Sequence, residues 1–198
     1  MAVVDLEAAH TAFVLVAMQK GLLSPRDGSL DEISDQNRPV VDASKQVIAA
    51  CREKGMPIMH AQLKRRADKA DVSPHLAMPD ARVTEGTPEV DIVDDLAPQP
   101  NDYVVEKRRQ GSFYGSHLEM FLRRNGVDTI LLGGGGANAG LETTFREAAD
   151  RDFRVVVVRD CVYAAQTEDG KHSIERVFPK RGTVVSLAEA LESIRQAK

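Results

Sequence analysis

The sequence predicts an α/β fold with three layers, in which a mostly parallel, Rossmann-like sheet carries helices on both faces. Short runs rich in Val, Ile and Leu alternate with longer segments of helical periodicity, as they do in stacked βαβ units. These runs are almost continuously apolar, which is typical of parallel strands that are covered on both faces. A chain of 198 residues buries one substantial core, so we expect a single domain over residues 1–198.

Five apolar runs are the predicted strands, and the intervals between them leave room for helices. They are Phe13–Val16, Pro57–Ala61, Tyr103–Val105, Thr129–Leu132 and Arg154–Val158. Ligands of open α/β sheets bind beyond the carboxyl ends of the strands. Candidate site residues are therefore sought directly after each run.

Four segments are predicted helices, and two of them end at a glycine, as helices commonly do. Gly55 follows the first of these, and Gly126 follows the second, whose last turn also carries two arginines. The predicted helices are Val40–Lys54, Ser116–Asn125, Glu142–Arg151 and Leu187–Ala197. The polar, proline-containing stretch from Lys64 to Pro100 predicts a long irregular connection.

Composition argues against several classes of function. The net charge of -4 gives no attraction to nucleic acid, and the basic run Lys64–Arg66 is predicted to be a solvated face because acidic residues follow it. No apolar stretch approaches the ~20 residues that cross a bilayer. The first residues lack a secretion signal, so we expect a cytoplasmic protein with no membrane partner.

The two cysteines predict neither a disulfide framework nor a zinc site, because they lie far apart and outside any metal-binding spacing. Cys51 falls within a predicted helix among apolar residues, which is typical of a small buried hydrophobe. Cys161 follows a strand, yet a catalytic role is not expected for it either.

Three motifs lie at the ends of predicted strands. They are Phe13–Gln19, which reads Phe-Val-Leu-Val-Ala-Met-Gln; Asp102–Leu118, which contains a lysine and Ser-Phe-Tyr-Gly-Ser; and the glycine-rich Leu132–Thr144. In this order they resemble the isochorismatase-like, or cysteine hydrolase, family of nicotinamidases, N-carbamoylsarcosine amidohydrolases and isochorismatases. The resemblance runs almost end to end, and it implies a hydrolase fold and a homo-oligomer, a dimer or larger.

The resemblance also implies a catalytic Asp, Lys and Cys. In such families the Asp takes a proton from the Cys, the thiolate attacks a carbonyl, and the Lys supports the charges. Lys107 keeps the lysine's place, whereas Ala17 stands where the Asp is expected and Gly140 where the Cys is expected. Because alanine has no proton acceptor and glycine no nucleophile, we expect the Cys-dependent amidohydrolase route to be lost.

One of these two replacements, that of the Cys, is also found in one branch of the family. Isochorismatases cleave a vinyl ether, tend to lack the Cys, and rely on the Asp. Gly140 favours that branch and Ala17 argues against it. Natural divergence and deliberate inactivation both account for the pair, and divergence is favoured because Cys to Gly is not a usual inactivating change.

What remains is a predicted pocket for a carbonyl or carboxylate oxygen, since a helix N-terminus after a glycine-rich turn aims N–H groups at a ligand. The resemblance implies that the amides of Gly136 and Gly140 form an oxyanion hole, with a cis peptide bond between Gly135 and Gly136. The alternative is that these glycines only permit close packing of helix on sheet. The candidate substrate-binding residues are Gln19, His60, Tyr114 and Asn138.

Lys107 is the candidate catalytic residue, because an ammonium group without a carboxylate partner either binds an anion or changes its pKa. The alternative is a structural ion pair with Glu106, Asp160 or Glu142. No cofactor is expected, and no metal, because the stretch around His60 lacks the family's metal-binding cluster.

Three functions follow as hypotheses. The first is a small-molecule pocket that acts by binding or by noncovalent acid-base chemistry around Lys107. The second is an active hydrolase of an amide, ester or vinyl ether that uses relocated groups. The third, a structural or partner-binding subunit, requires a pocket filled by side chains.

Overall fold

A computed structural model describes residues 3–72, 74–75 and 83–198. Six strands form one sheet in the order β3-β2-β1-β4-β5-β6, and every neighbouring pair is parallel. The strands are β1 (Thr11–Val16), β2 (Ile58–Leu63), β3 (Tyr103–Lys107), β4 (Thr129–Gly134), β5 (Arg154–Val162) and β6 (Thr183–Val185). All five predicted strands are confirmed. The sequence analysis missed β6, because three residues are too few to show a strand pattern.

The helices are α1 (Lys20–Leu23), α2 (Arg38–Glu53), α3 (Leu118–Arg124), α4 (Gly140–Ala149), α5 (Glu168–His172) and α6 (Leu187–Gln196). The four long ones confirm the predicted helices, and their ends have the expected cause. Gly55 follows α2 with φ 70°, and Gly126 follows α3 with φ 67°, a left-handed conformation that glycine adopts at little cost. No helix in the described ranges has the length and apolar character needed to span a membrane.

Alternate residues of the central strand β1 face opposite layers, as the two-residue period of a strand requires. Phe13 and Leu15 belong to the core beneath α2 and α6, whereas Val14 and Val16 belong to the core beneath α3 and α4. The predicted three-layer arrangement with helices on both faces is therefore confirmed.

The chain winds from β1 to β2 and β3 on one side, then returns to place β4 on the other side of β1. The order of strands thus reverses between β1 and β4, and a crevice opens at their carboxyl ends. In parallel sheets such a switch point is where ligands bind.

The connection between β2 and β3 is irregular, as predicted, but its described parts are firmly attached. It contains two short 3-10 turns, Pro88–Val90 and Asp94–Leu96. Val83 and Val93 are buried in it, and Gln19 forms an antiparallel bridge with Ile92. The connection therefore covers the carboxyl end of the sheet.

Candidate functional site

A cavity of about 260 Å³ lies at the switch point of the sheet. Ala17 directly follows β1, Lys107 ends β3, and Gly135, Gly136 and Gly140 come from the turn into α4; all five line the cavity. The structure therefore brings together the three positions that the family resemblance assigned to catalysis and both positions that it assigned to the oxyanion hole. The cavity is also open space, contrary to what a pocket filled by side chains requires.

The rest of the lining is apolar, cationic or neutral. Its residues are Leu22, Leu63, Arg65, Val72, Val83, Gln110, Ala139 and Tyr163. No Asp or Glu stands among the lining residues within the described ranges. Lys107 and Arg65 both line it, whereas the carboxylates that act on their pKa values, Glu147 and Asp71, lie outside this lining.

Lys107 is a buried ammonium group whose hydrogen-bond acceptors among the described residues are carbonyl oxygens. It is 1% exposed, and its Nζ donates to the carbonyl oxygens of Arg109 at 3.3 Å and Gln110 at 2.5 Å. Burial lowers the pKa of Lys107 to about 8, the charge of Arg65 lowers it further, and Glu147 opposes the shift. Removal from water disfavours the charged form, so this amine changes protonation near neutral pH.

The alternative of a structural ion pair for Lys107 is wrong for the three acids considered. Each acid has another partner: Glu106 pairs with Lys64, Asp160 accepts from the backbone N–H of Leu187, and Glu142 pairs with Arg146.

Arg65 corrects the interpretation of the basic run as a solvated face. Lys64 and Arg66 pair with acidic residues near the surface, but Arg65 is only 9% exposed and its guanidinium donates to the carbonyl of Arg108 at 2.7 Å. Burial lowers the pKa of Arg65, Asp71 raises it, and the charge of Arg109 lowers it. The sequence signal for Arg65 is its place close after β2, which ends at Leu63.

Ala17 adopts an unusual backbone conformation for a residue with a side chain. Its φ is 54°, and its N–H donates to the carbonyl of Ala61 at 2.8 Å. The left-handed region costs an L-residue roughly 1–2 kcal/mol. Such strain persists where the surrounding structure fixes it, often at functional sites.

The glycines of the turn into α4 differ in how much space a side chain would have. A Cβ on Gly135 would lie 1.5 Å from Cε1 of Tyr163, whereas a Cβ on Gly136 would meet only the Cβ of Ala139 at 3.5 Å. Close packing thus explains Gly135 and does not explain Gly136. The peptide bond between them is trans, so the expected cis bond is absent from the structure.

Gly140 opens α4 and has one of the N–H groups that find no acceptor within a helix. A Cβ at this position would lie 3.2 Å from the carbonyl oxygens of Gln110 and Gly135, which is tight but requires only a small shift. Gly140 and Gly136 both lie on the wall of the cavity, and the backbone of Gly136 hydrogen-bonds to Tyr163.

None of the four predicted substrate-binding residues lines the cavity. Gln19 is buried and bonds to backbone groups: its Nε2 donates to the carbonyls of Leu63 and Val90, both at 2.7 Å, and its Oε1 accepts from the N–H of Leu63 at 2.8 Å. It attaches the covering connection to the sheet. Asn138 instead donates to a carboxylate oxygen of Asp169 at 3.2 Å.

His60 and Tyr114 do not have the predicted substrate-binding position either. His60 is 2% exposed, and its Nε2 is 3.6 Å from a carboxylate oxygen of Asp102, which also binds Arg52 of α2. Burial lowers the pKa of His60, and Asp102 opposes the shift. Tyr114 is 68% exposed and belongs to the surface.

Tyr163 also lines the cavity, and it was not among the predicted site residues. It follows β5, and its ring lies against Gly135. Burial raises the pKa of Tyr163 to about 12, and a hydrogen bond from the backbone of Gly136 opposes the shift. The phenol is therefore protonated at neutral pH. The turn that contains Tyr163 follows a predicted strand, but the candidates discussed there were the acidic Asp160 and the thiol of Cys161.

Neither cysteine reaches the cavity, as expected. Both are free and fully buried. Burial raises the pKa of the Cys161 thiol to about 12 and raises that of Cys51 as well, so neither thiol ionises readily. Among the described residues no three His, Cys, Asp or Glu side chains cluster as metal ligands.

Comparison with known proteins gives concordant results. The profile of the isochorismatase domain matches residues 11–189. The uncharacterized isochorismatase family protein YecD of Escherichia coli is 31% identical, with 96% of this chain and 99% of that protein covered. Maleamate amidohydrolase of Pseudomonas putida is 25% identical, with coverages of 78% and 74%. The crystal structure of a cysteine hydrolase from Pseudomonas syringae has a TM-score of 0.85 at 24% identity and covers 98% of this chain and 97% of its own.

Proposed function

The chain belongs to the isochorismatase family, and from that premise we propose that its cavity binds a small carboxylate or carbonyl compound without Cys-dependent amidohydrolase chemistry. The observation that carries the proposal is the charge of the cavity. Lys107 and Arg65 line it together, and no acidic residue within the described ranges lines it with them.

Two buried cations in one cavity are costly unless an anion compensates them. Carbonyl oxygens satisfy part of their hydrogen-bonding capacity, but these oxygens carry no net charge. A ligand carboxylate brings a negative charge into this cavity, and the backbone N–H of Gly140, at the N-terminus of α4, would donate to its oxygen. The volume of about 260 Å³ lies below the usual range of drug-sized pockets, so the ligand is small.

The loss of the covalent route follows from the groups at the site. Ala17 and Gly140 stand at the positions of the family's Asp and Cys and provide neither base nor thiol. The described thiols, Cys51 and Cys161, are buried outside the cavity. Chemistry at this site therefore depends on Lys107.

An active hydrolase of an amide, ester or vinyl ether is the second candidate. It is favoured by the pKa of about 8 at Lys107, which makes part of the amine neutral and able to accept a proton from water near pH 8. Tyr163 in the same cavity holds its proton and is able to donate it. The relative from Pseudomonas putida is named for maleamate, a small carboxylate that bears an amide.

Calorimetric titration with small carboxylates tests the binding proposal. We expect Lys107→Met and Arg65→Met each to weaken binding at least about tenfold, as loss of a charge-assisted contact does. Lys64→Met is the matched control, since this lysine pairs with Glu106 outside the cavity and its loss leaves the affinity unchanged. Equal affinities of all four proteins would refute the proposed site.

A parallel screen separates the two candidates. The protein is incubated with small amides, esters and vinyl ethers that carry a carboxylate, and the products are measured. Turnover that disappears in Lys107→Ala establishes the enzyme, whereas binding without turnover supports a binding protein. The cytoplasmic location and the homo-oligomer remain predictions; light scattering that shows a monomer would refute the latter.

A further inference from the structure

Beside the Lys107 cavity lies a second, more open groove of about 480 Å³. It runs along the segment that follows α1 and reaches the first residues before α2. Among the described residues, only Tyr163 and Leu22 line both the groove and the cavity. These two side chains therefore form the partition between the cationic cavity and the groove.

The ring of Tyr163 is the larger part of this partition, and its position is closely fixed. The ring lies so near Gly135 that a Cβ there would fall within 1.5 Å of it. The backbone N–H of Tyr163 donates to the carbonyl of Gly134 at 3.2 Å. Glycine at position 135 is thus what allows an aromatic ring to close the cavity on this side.

The residue after the ring is fixed as well. Ala164 has a φ of 59°, and its carbonyl oxygen accepts from the hydroxyl of Thr167 at 2.8 Å and from its N–H at 3.3 Å. A non-glycine residue stays in this conformation only where its surroundings determine it. The turn therefore holds the partition in place.

The groove differs from the cavity in its chemistry. Its described lining includes the apolar Leu22 and Pro25, the cation Arg26, and neutral polar groups such as Asn37 and Ser34. The hydroxyl of Ser34 has no hydrogen-bond partner in the described structure. A long ligand bound by its carboxylate at Lys107 would have to pass Tyr163 to reach these groups.

We propose that Tyr163 is a specificity-determining residue that limits the ligand to a short acid held entirely within the Lys107 cavity. The inference rests on the proposed binding function. An open site gains affinity with each added CH₂ that it buries, on the order of 0.8 kcal/mol. That gain stops once the chain meets the ring of Tyr163, so ligand length measures the effect of the partition.

The test is the affinity for linear carboxylates, from acetate through butyrate and hexanoate to octanoate, at pH 7 by calorimetry. Wild type is expected to bind octanoate at least about tenfold more weakly than butyrate. In Tyr163→Ala the two spaces join, and octanoate is expected to bind at least as tightly as butyrate. Tyr163→Phe keeps the ring and is expected to keep the wild-type preference, which separates ring size from the hydroxyl.

Tyr114→Ala is the matched control, because it removes a tyrosine that is 68% exposed and distant from both spaces; its preference is expected to equal that of wild type. Thermal unfolding verifies each variant, and Tyr163→Leu replaces Tyr163→Ala if the latter does not fold. Equal binding of butyrate and octanoate by wild type, or an unchanged preference in the smaller variant, overturns the inference.

The two proposals fail in different ways. If binding depends on Lys107 but not on ligand length, the inference about Tyr163 is wrong and the proposed function stands. If wild type binds none of the four acids, the proposed function is wrong and the inference falls with it.

Discussion

One carbonyl oxygen joins Lys107 to Gly140. The oxygen of Gln110 accepts a hydrogen bond from Nζ of Lys107 at 2.5 Å and lies 3.2 Å from the point where a Cβ on Gly140 would be. A side chain placed at position 140 therefore starts beside the buried amine. This arrangement makes position 140 a direct probe of the site's electrostatics.

Gly140→Cys is expected to fold and to carry a thiol whose pKa is below its ordinary value of ~8.5, because the neighbouring ammonium stabilises the thiolate. The measurement is the pH dependence of alkylation by iodoacetamide. In the double variant with Lys107→Met the thiol pKa is expected to rise. Wild type supplies the background, since Cys51 and Cys161 are buried. The same alkylation profile with and without Lys107 would contradict the prediction.

Binding of a carboxylate is expected to weaken as the pH rises through about 8, the pKa of Lys107. Above that pH the amine is neutral and attracts the anion less, so affinity falls by up to about tenfold per pH unit. Titration calorimetry over a range of about pH 6 to 10 measures how the affinity changes with pH. Lys107→Met is the control and should show no such slope, whereas a flat profile for wild type would argue against the charged amine as the ligand's partner.

Lys107 is also expected to make stability depend on pH. Its folded-state pKa of about 8 lies below the ordinary ~10.4, so between these values the unfolded chain binds more protons and wild-type stability rises with pH. Lys107→Met lacks this dependence. The free energy of unfolding of Lys107→Met, taken relative to that of wild type, should be highest at pH 7. This difference should shrink by about 3 kcal/mol toward pH 10.5.

Urea unfolding at the two pH values measures this difference. The control is Lys64→Met, which removes a lysine that pairs with Glu106 outside the cavity. Its stability relative to wild type should stay nearly constant over the same interval. An advantage of Lys107→Met that does not change with pH would rule out a depressed pKa as its cause.

Ala17→Gly is expected to leave stability unchanged or to raise it by about 1 kcal/mol, since glycine adopts the φ of 54° at position 17 without strain. The opposing costs are a lost methyl contact and a more flexible unfolded chain. Ala12→Gly is the matched control: Ala12 is buried in β1, and glycine there should be destabilising. Thermal unfolding measures the stability of both variants. Equal losses of stability in Ala17→Gly and Ala12→Gly would show that Ala17 is not strained.

Gly135→Ala is expected to destabilise the fold, because its Cβ would overlap the ring of Tyr163. The expected loss is about 1–3 kcal/mol or more, as for substitutions that overpack a core. Gly136→Ala meets an ordinary contact and should be tolerated. Combining Gly135→Ala with Tyr163→Ala should restore part of the stability in chemical denaturation. An additive double variant would mean that the ring and the glycine are not in contact.

Much of the fold could be predicted because its signals are local. The apolar runs were long enough to mark five strands, and Gly55 and Gly126 marked helix ends through their left-handed conformation. Lys107 and the glycine-rich turn were found because both follow strands whose carboxyl ends meet at the switch point.

The remaining site residues depend on relationships that a single sequence does not display. His60 faces α2 because strand residues alternate between faces, and the parity of β2 is set by its register with β1. Arg65 is buried only because a segment distant in the chain, around Val83, folds over it. Tyr163 lines the cavity because Gly135, on another strand's turn, leaves room for the ring.

Gln19 shows how this architecture can change its ligand without being rebuilt. Within the described residues its side chain bonds only to main-chain atoms, those of Leu63 and Val90, so the attachment of the covering segment does not depend on which side chains that segment carries. Mutations in the cover can then alter the residues that meet the ligand while the anchor persists. Engineering of the covering segment therefore offers a way to vary ligand preference on a constant scaffold.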